Sequence, residues 1–318
     1  MRIVKVSMLG LGVVGSQLLS YLIKEKQKIK REFGVQIEVA QVFVNDEKKK
    51  RAIDLTGIHL TENGQQAIEA ADIVLECMGG NGMEQTRELL QYSLKLKKGV
   101  IISSKKCLAK YGEELTELAA RNQIPFCYDA AVGGGIPISR TIAQMGKCEK
   151  ITKIYGICNA TSNYILTQMQ EELVPFEEAL NSAQKRGIAE NDPAEDVDGY
   201  DTLNKAIILG GFGFNRWKQD QDTVPASIRS VSKEEITQAD KNGFVIKHIF
   251  ELTNESNGIR CVVENRKISK KHLLSNVHGT NNMIIIETDE SGERAFFGHG
   301  AGAKPTACAM FDDLISVL

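Results

Sequence analysis

The chain has 318 residues, of which 42% are hydrophobic and 25% charged, and its formal net charge is −2. These values are ordinary for a globular protein of two domains, or of one large domain with an added lobe. The charge gives no reason to expect nucleic acid or an anionic membrane as a partner. No apolar run approaches the ~20 residues that cross a bilayer. The seven cysteines are scattered, so we expect free thiols in a reducing cytoplasm.

The clearest local motif is GLGVVG at 10–15, which lies between a predicted strand, RIVKVSML, and a predicted helix, SQLLSYLIKEKQ. In this spacing the first glycine permits a tight turn and the second lets backbone N–H groups approach a pyrophosphate. The third allows the helix to pack closely on the strand. The alternative is a glycine-rich turn in another α/β fold, but the strand–helix context favours a dinucleotide site. The predicted cofactor-binding residues here are Gly10, Leu11, Gly12, Val13, Val14 and Gly15.

The second predicted strand, QIEVAQVFV, ends at Asn45-Asp46. An acidic residue at this position usually holds the ribose hydroxyls of the adenosine and favours NAD. Four basic residues follow at 48–51, and any of them could contact the 2′-phosphate of NADP. The sequence leaves the choice between NAD and NADP open.

Two further predicted strands end in small or basic residues: ADIVLEC runs into Gly79-Gly80, and GVIISS runs into Lys105-Lys106. Ligands of open parallel sheets bind at the carboxyl ends of the strands. Gly79, Ser104 and Lys105 are therefore candidates for the nicotinamide end of a cofactor. The alternative for Lys105 is the first lysine of a solvated pair that begins a loop.

The pattern changes from about residue 150 onwards. A strand is predicted to end near Cys158, a helix to begin near Ser162-Asn163, and several antiparallel strands to follow before a final helix. We therefore expect an N-terminal Rossmann-type α/β domain and a second, α+β domain for catalysis and dimerisation. The expected boundaries are 1–135 with the returning helix 302–318 for the first domain, and 136–301 for the second.

The segment RGIAENDPAEDVDGYDTLNK at 186–205 is rich in acidic residues and ends on a lysine. The helical spacing after Gly199 puts Leu203, Ile207 and Leu209 on a buried side. Asp198, Asp201 and Lys205 fall at spacings of three and four, along one side of a turn. From local spacing alone, the simplest interpretation is an acidic loop followed by a surface ion pair.

The chain closely resembles the homoserine dehydrogenase family in seven blocks that keep the family's order and approximate spacing. The charged stretch 215–239 is the least family-like part and has no assigned role. The blocks are GLGVVG at 10–15, SSKKCLA at 103–109, YDAAVGGGIPISR at 128–140, YGICNATSNYIL at 155–166, the acidic segment at 186–205, HGTNNMIIIETD at 278–289 and GHGAGAKPTACA at 298–309.

The family reduces L-aspartate 4-semialdehyde to L-homoserine with NADPH or NADH, on the branch towards threonine and methionine. The resemblance implies that Lys205 is the proton donor, paired with Asp201, and that Lys105 lies beside the nicotinamide and the substrate. It also implies that Glu190 binds the substrate's amino group. Asp196 and Thr161 are the other implied substrate residues, Gly302 contacts the cofactor, and a sodium site maps to Asp129, Val132, Gly134 and Ile136.

The reaction independently requires these residue types. Hydride delivery to an aldehyde leaves negative charge on the oxygen, which a lysine ammonium neutralises and protonates. An Asp one helical turn away orients that ammonium and stabilises its charge. The chain departs from the family pattern at Asp129 (usually Glu), Ala160 (usually Gly) and Ser104 (usually Asn). These departures leave room for a paralogue that acts on another amino-acid aldehyde or alcohol.

A catalytically silent NAD(P)-binding sensor is the alternative from another class. The joint presence of Lys105, Glu190, Asp201 and Lys205 argues against it, because a sensor has no need of that set. The resemblance further implies a homodimer and a short form without an aspartate kinase or a C-terminal regulatory domain. We therefore expect weak or absent feedback inhibition by threonine.

Overall fold

The computed structural model describes residues 1–79, 82–217, 223–255 and 258–318. Its packing divides the chain into two compact units. Unit 1 consists of Met1–Gly135 and Gly302–Leu318, and unit 2 consists of Ile136–Ala301. Gly80, which the sequence places after a strand, lies outside the described residues. The functional names given to the two domains stay predictions.

Unit 1 is built on a parallel sheet. Its strands are β1 (Arg2–Leu9), β2 (Val35–Phe43), β3 (Leu60–Thr61), β4 (Ile73–Glu76), β5 (Gly99–Ile102) and β6 (Phe126–Cys127). The spatial order is β3-β2-β1-β4-β5-β6, and every neighbouring pair is parallel. In this order the chain reverses its winding direction between β1 and β4, which opens a crevice at the carboxyl ends of the strands. The predicted Rossmann-type fold is confirmed.

The helices of unit 1 cover this sheet, and its strands β4 and β5 are buried along their whole length because both faces are covered. These helices are α1 (Val13–Lys24), α2 (Lys26–Phe33), α3 (Gly64–Glu69), α4 (Met83–Lys95), α5 (Lys105–Asn122), α6 (Asp129–Val132) and α13 (Ala303–Ser316). The C-terminal helix α13 packs on α1, where the rings of Phe311 and Tyr21 meet edge to face at 6.3 Å. The long connection before the second strand is a pair of helices, α1 and α2.

Unit 2 is built on an antiparallel sheet. Its strands are β7 (Ile151–Ile157), β8 (Phe244–Glu255), β9 (Gly258–Ser269), β10 (Asn281–Thr288) and β11 (Gly292–His299). The spatial order is β11-β10-β7-β8-β9. All neighbouring pairs are antiparallel, as the Asn, Gly and Ser turns predict. The α+β character of this half is confirmed.

The first helix of unit 2, α7 (Ile138–Met145), precedes β7, and the others lie between β7 and β8 in the chain. These others are α8 (Ala160–Glu171), α9 (Phe176–Lys185), α10 (Ala194–Val197), α11 (Tyr200–Phe214) and α12 (Lys233–Lys241). Helices α8, α9 and α12 share a core that includes Ile165, Leu180 and Ile236. Across the ranges that are described, no helix is long and apolar enough to cross a membrane.

Two helices of unit 2 begin where the sequence-based prediction did not place them. Helix α8 begins at Ala160, two residues before the predicted start, because the Asn159 side chain caps it by accepting from the Ser162 N–H at 2.7 Å. In the unassigned stretch 215–239, Ser232 and Glu235 form a capping box that begins α12. Residues 218–222 of that stretch lie outside the described ranges.

Candidate active site

The glycine loop of unit 1 (Gly10–Gly15) connects β1 to α1. Gly10 has a φ of +101°, and a Cβ there would lie 2.6 Å from the Cys77 carbonyl oxygen. A Cβ on Gly15 would lie 2.6 Å from the carbonyl oxygen of Gly10, whereas one on Gly12 would meet no heavy atom within 4 Å. Gly10 and Gly15 therefore permit close packing, and Gly12 faces open space at the N-terminus of α1. This is the arrangement that anion binding by a helix N-terminus requires.

The glycine loop lines a cavity of about 560 Å³ that extends to the residues after β2. Gly10, Leu11 and Gly12 line one part, and Asp46 with Lys49 and Arg51 lines another. Leu11 is buried and Val14 packs partly against the core, so both offer a ligand mainly their backbone, while Val13 is exposed. The size and lining suit an extended ligand with phosphate at the glycine end.

A buried carboxylate, Glu76 at the end of β4, ties together the strand ends on the other side of this crevice. Its Oε1 accepts from the Met78 N–H and the Ser104 hydroxyl, both at 2.7 Å, and its Oε2 accepts from the N–H groups of Ser103 and Ser104 at 3.2 and 2.9 Å. Burial raises the pKa of Glu76, and these four hydrogen bonds partly oppose the rise. Glu76 therefore fixes the backbone on both sides of the predicted nicotinamide residues.

The predicted nicotinamide residues have defined positions in unit 1. Ser104 is the N-cap of α5 and is buried, and its one hydroxyl hydrogen is shared between Glu76 Oε1 at 2.7 Å and the Gly79 carbonyl at 3.1 Å. Lys105 is the first residue of α5 and half-buried, so its interpretation as the start of a solvated loop is wrong. Gly79 is exposed with a φ of +78°. Gly302, with a φ of +117°, precedes α13 in the same unit.

The residues of the predicted cation site form a helix and a turn. Asp129 is fully buried at the start of α6, and its N–H donates to Asp313 Oδ2 at 3.0 Å. The carbonyls of Asp129 and Ile136 already accept backbone hydrogen bonds, at 3.2 and 2.8 Å. Val132 ends α6, and Gly134 has a φ of +59°. Within the described ranges, no group of three or more His, Cys, Asp or Glu side chains could hold a metal ion.

The Asp201–Lys205 pair on α11 is buried, so its interpretation as a surface ion pair is wrong. Lys205 Nζ lies 2.9 Å from Asp201 Oδ2, and the two side chains are only 7% and 3% exposed. Lys205 Nζ also donates to the Cys158 carbonyl at 2.6 Å. The ammonium has three N–H donors, and these partners account for two of them. Helix α11 therefore turns its charged pair inward, while Leu203 and Ile207 are only half-buried.

Asn159 joins the Asp201–Lys205 pair to the preceding acidic loop. Its Nδ2 donates to Asp201 Oδ2 at 2.8 Å and to Asp196 Oδ1 at 2.7 Å. We call the four residues Asn159, Asp196, Asp201 and Lys205 the Lys205 cluster. Asp198 is not part of it, because it precedes α11 and its Oδ1 accepts from Arg229 Nε at 3.0 Å.

The electrostatics of the cluster keep Lys205 charged. Burial lowers the pKa of Lys205, but attraction to the Asp201 carboxylate, its hydrogen bond and the nearby Asp196 outweigh burial. The pKa of Lys205 is therefore raised above its ordinary value of 10.5. At neutral pH the group is an ammonium, which can stabilise a developing alkoxide and give it a proton.

The other two predicted substrate residues lie outside the hydrogen-bond network of the cluster. Thr161 is buried in the first turn of α8, and its hydroxyl donates to the Ile188 carbonyl at 3.2 Å. Glu190 is exposed on the acidic loop, where its carbonyl accepts from Gln184 Nε2 at 3.1 Å. In the part of the chain that the structure describes, the Glu190 carboxylate makes no hydrogen bond or ion pair.

Sequence reasoning missed two residues that organise these sites, Asn159 and Glu76. Asn159 stands directly before a helix, where Asn is a preferred cap. Glu76 is the single charge in the apolar stretch IVLECM, at the end of a predicted strand. A charge in a strand that is buried on both faces needs partners, and this requirement could have singled it out.

Comparisons with known proteins find matches to both units of the chain. A family model described as "Homoserine dehydrogenase, NAD binding domain" matches residues 10–129, and one described as "Homoserine dehydrogenase" matches residues 137–315. The chain is 35% identical to the homoserine dehydrogenase of Bacillus subtilis (strain 168), over 100% of this chain and 73% of the relative.

Two solved structures are also similar over the whole chain. The homoserine dehydrogenase of Thiobacillus denitrificans has a TM-score of 0.93 and 33% identity, over 100% of this chain and 73% of that one. The homoserine dehydrogenase of S. aureus has a TM-score of 0.88 and 34% identity, over 100% of this chain and 76% of that one.

A Rossmann-type sheet with a glycine loop, together with a buried Asp–Lys pair in unit 2, defines an NAD(P)-dependent oxidoreductase. The full-length matches narrow the class further, because they cover both units. The chain belongs to the homoserine dehydrogenase family. The family predicted from the sequence is therefore confirmed.

Proposed function

We propose that this chain interconverts L-aspartate 4-semialdehyde and L-homoserine by hydride transfer with a nicotinamide cofactor, and that Lys205 is the proton donor. The observation that carries the assignment to Lys205 is its burial against Asp201 and the Cys158 carbonyl. A lysine with no role beyond a surface ion pair would keep its ammonium hydrated, whereas the Lys205 side chain is only 7% exposed. Within the described residues, two of its three N–H donors have partners and one is left for a ligand. A buried ammonium with a donor to spare is the group that aldehyde reduction needs.

The reaction couples one hydride to one proton. The reduced nicotinamide supplies the hydride to the aldehyde carbon when it is bound. The ammonium of Lys205 holds the aldehyde oxygen, stabilises the negative charge that develops there and transfers a proton to it. In the reverse direction, neutral Lys205 takes the proton from the hydroxyl of homoserine. Because the pKa of Lys205 is raised, the charged form that serves reduction is the resting form at neutral pH.

Asp201 and Asn159 position the ammonium. Asp201 receives both the Lys205 ammonium and the Asn159 amide on the same oxygen, Oδ2. This shared acceptor restricts the rotamers of both partners and keeps Nζ in one place. We assign Glu190 to the substrate's ammonium because its carboxylate is exposed and makes no hydrogen bond or ion pair with the residues that the structure describes. Asp196 and Thr161 are proposed to line the substrate site.

Unit 1 supplies the cofactor side of the proposal. The glycine loop would hold the pyrophosphate through backbone N–H groups at the start of α1. Gly79, Ser104, Lys105 and Gly302 are proposed to contact the cofactor. The Glu76 carboxylate holds Ser104, and the Ser104 hydroxyl in turn contacts the Gly79 carbonyl. The hydrogen bonds of Glu76 support this assignment because they hold the end of β4 against Ser103 and Ser104, which follow β5.

The test is oxidation of L-homoserine by the purified chain with NADP or NAD, followed by the absorbance of the reduced cofactor. L-Serine and L-threonine serve as matched hydroxy-amino acids with a shorter or branched side chain. We expect turnover with homoserine at least about 10²-fold above the other two. Turnover only with another hydroxy-amino acid would instead favour the paralogue, and cofactor binding without any turnover would favour the sensor.

Three finer expectations are also proposals. A homodimer through the sheet of unit 2 is supported by the resemblance and by Phe297 of β11, which is 57% exposed. A cytoplasmic location is supported by cysteines that are all free thiols. A sodium ion at the predicted carbonyl site rests on the resemblance alone, and no step of the proposed mechanism uses it.

A further inference from the structure

We propose that His248 is a positioning residue for the Asp201–Lys205 pair and acts through Gly199, at the start of α11. The inference rests on the proposed function, because it concerns the placement of the lysine that donates the proton there. It adds a residue from outside the Lys205 cluster, on the strand β8. His248 is only 3% exposed, and the proposed proton transfer does not use its ring.

The turn that begins α11 is enclosed by two other segments of unit 2. Gly199, the N-cap of α11, is buried and has a φ of +83°. A Cβ there would lie 3.2 Å from Cε1 of the His248 ring, 2.9 Å from the Pro225 Cβ and 3.0 Å from the Ala226 carbonyl oxygen. The ring and the segment 225–226 therefore both pack against Gly199. Because Asp201 follows only two residues later, a shift of this turn would shift the ion pair.

One side chain of β9, that of Asn265, connects the two segments that enclose Gly199. His248 and Asn265 are opposite each other in the β8–β9 ladder, and His248 Nδ1 lies 3.0 Å from Asn265 Oδ1. Asn265 Nδ2 donates to the Ser227 carbonyl at 2.9 Å. The Asn265 oxygen is therefore the acceptor on the other side, and His248 Nδ1 carries the hydrogen. Asn265 thus orients the ring and holds the segment that precedes Ser227.

Ser227 extends these contacts to the residue before Gly199. Its hydroxyl donates to Asp198 Oδ1 at 2.7 Å, and Asp198 directly precedes Gly199 in the chain. The contacts run from the imidazole through Asn265 and Ser227 to Asp198, and they return through the packing of the ring on Gly199. In such a network one member cannot move without disturbing the next, so the start of α11 is held in one place.

The imidazole acts through position and not through its own proton. Burial lowers the pKa of His248 below its ordinary value of 6.5, and the hydrogen bond with Asn265 opposes this only in part. The ring is therefore neutral at neutral pH. In the part of the chain that the structure describes, its Nε2 has no hydrogen-bond partner. The effect of His248 on Lys205 therefore passes through the placement of α11.

The test uses two variants of the whole chain and a matched control. His248→Asn keeps a donor for Asn265 but removes the ring atom that packs on Gly199. Ser227→Ala removes one hydroxyl from a half-buried side chain, so it should fold like the wild type. The control is Lys247→Met, which replaces a buried neighbour of His248 on β8 whose side chain lies on the opposite face of the sheet.

Turnover and cofactor affinity give the first readout. His248→Asn should lower kcat for homoserine oxidation by about 10- to 100-fold, because a small displacement of a reacting group costs that much. Ser227→Ala should lower kcat about fivefold, roughly the factor that one hydrogen bond contributes. In both variants the affinity for NADPH should stay within about twofold. Lys247→Met should keep kcat within about threefold.

Hydrogen exchange measured by mass spectrometry gives a second readout, which is independent of turnover. The amides of residues 203–206 donate to the carbonyls of the first turn of α11. They should exchange about tenfold faster in His248→Asn and Ser227→Ala, and at the wild-type rate in Lys247→Met.

Unchanged kcat in both variants would overturn the inference, and so would a loss of kcat without faster exchange or with an equal loss of NADPH affinity. A wild-type protein that does not oxidise homoserine would remove the proposed function. Exchange would then still decide whether His248 and Ser227 hold the start of α11.

Discussion

Unit 2 buries two lysine side chains whose ammonium groups have different partners. Lys205 lies 2.9 Å from a carboxylate, that of Asp201, and donates to the Cys158 carbonyl. Lys247 on β8 is only 1% exposed and donates to the Val277 carbonyl at 2.6 Å and, more weakly, to Asn163 Oδ1 at 3.5 Å. Among the described residues, the Lys205 ammonium thus has a carboxylate in contact, whereas the Lys247 ammonium hydrogen-bonds only to uncharged oxygens.

The difference in partners reverses the direction of the pKa shift. Burial lowers the pKa of Lys247 to about 8, and attraction to the more distant Glu171 opposes this only in part. Glu171 is itself paired with His278 at 3.0 Å. The pKa of Lys205 is raised, although burial acts on it in the same sense. Burial alone makes a lysine easy to deprotonate, and a carboxylate at contact distance is what preserves a proton donor.

The largest expected effect is on turnover, where we expect the two buried lysines Lys205 and Lys247 to differ most. Lys205→Met should lower kcat for homoserine oxidation by about 10³-fold, within the range for loss of a general acid or base. The affinity for NADPH should stay within about twofold, because the glycine loop belongs to unit 1. Turnover is measured by cofactor absorbance and affinity by cofactor fluorescence.

Lys247→Met is the matched control for this substitution, since it also replaces a buried lysine of unit 2 by an apolar side chain. It should keep kcat within about threefold of the wild-type value. If both variants lost turnover equally, general loosening of unit 2 would explain the effect. A Lys205→Met protein that retained most of its turnover would remove Lys205 from the mechanism.

Parts of the fold and of the Asp201–Lys205 pair could be predicted from the sequence, and other parts could not. The glycine motif and strand pattern predicted the parallel sheet, because three glycines at fixed spacing demand one turn geometry. The i,i+4 spacing of Asp201 and Lys205 predicted that they would pair. It could not predict their burial, because burial depends on Asn159 and Cys158, which lie more than 40 residues away in sequence.

The burial of Lys247 could not be predicted from the sequence either. In the strand FVIKHIFELTN it lies between Ile246 and His248, and no alternation of polar and apolar residues marks its face as buried. The structure buries it because helix α8 covers that face of β8, with Asn163 contributing an amide oxygen. No local pattern encodes which face a distant helix will cover. The start of α8 was predicted only approximately because it is set by the hydrogen bond of its cap, and the sequence does not show which Asn or Ser makes that bond.

The second prediction concerns stability and pH. In the folded protein Lys247 loses its proton at a pKa of about 8, and in the unfolded chain near 10.5. Between these values the unfolded state binds more protons, so the free energy of unfolding should rise with pH. The rise due to Lys247 should be about 2 kcal/mol from pH 7.5 to 9.5, at ~1.4 kcal/mol per pH unit above the folded pKa. Urea unfolding at several pH values measures it.

The reference for this measurement is Lys247→Met, in which the rise should be absent. Tyrosines and cysteines that titrate in the same range are common to both proteins, so their contribution cancels in the difference. The variant should also be at least as stable as the wild type at pH 7.5, because a buried charge is removed and the Val277 carbonyl keeps its hydrogen bond from Asn163 at 3.2 Å. Parallel pH profiles of the two proteins would contradict the lowered pKa.

The smallest expected effect tests whether spacing or burial determines how much an ion pair contributes to the free energy of unfolding. Glu117 and Arg121 on α5 have the same i,i+4 spacing as Asp201 and Lys205 and lie closer together, at 2.7 Å, but their side chains are 56% and 72% exposed. Water screens such a pair, so Glu117→Gln should change the free energy of unfolding by about 0.5 kcal/mol or less. Asp201→Asn, in the same urea assay, should cost roughly 3 kcal/mol, because it leaves the Lys205 ammonium buried without its anion. Since the shorter distance belongs to the exposed pair, equal losses would mean that spacing rather than burial sets the strength of both pairs, and that the high pKa of Lys205 has another source.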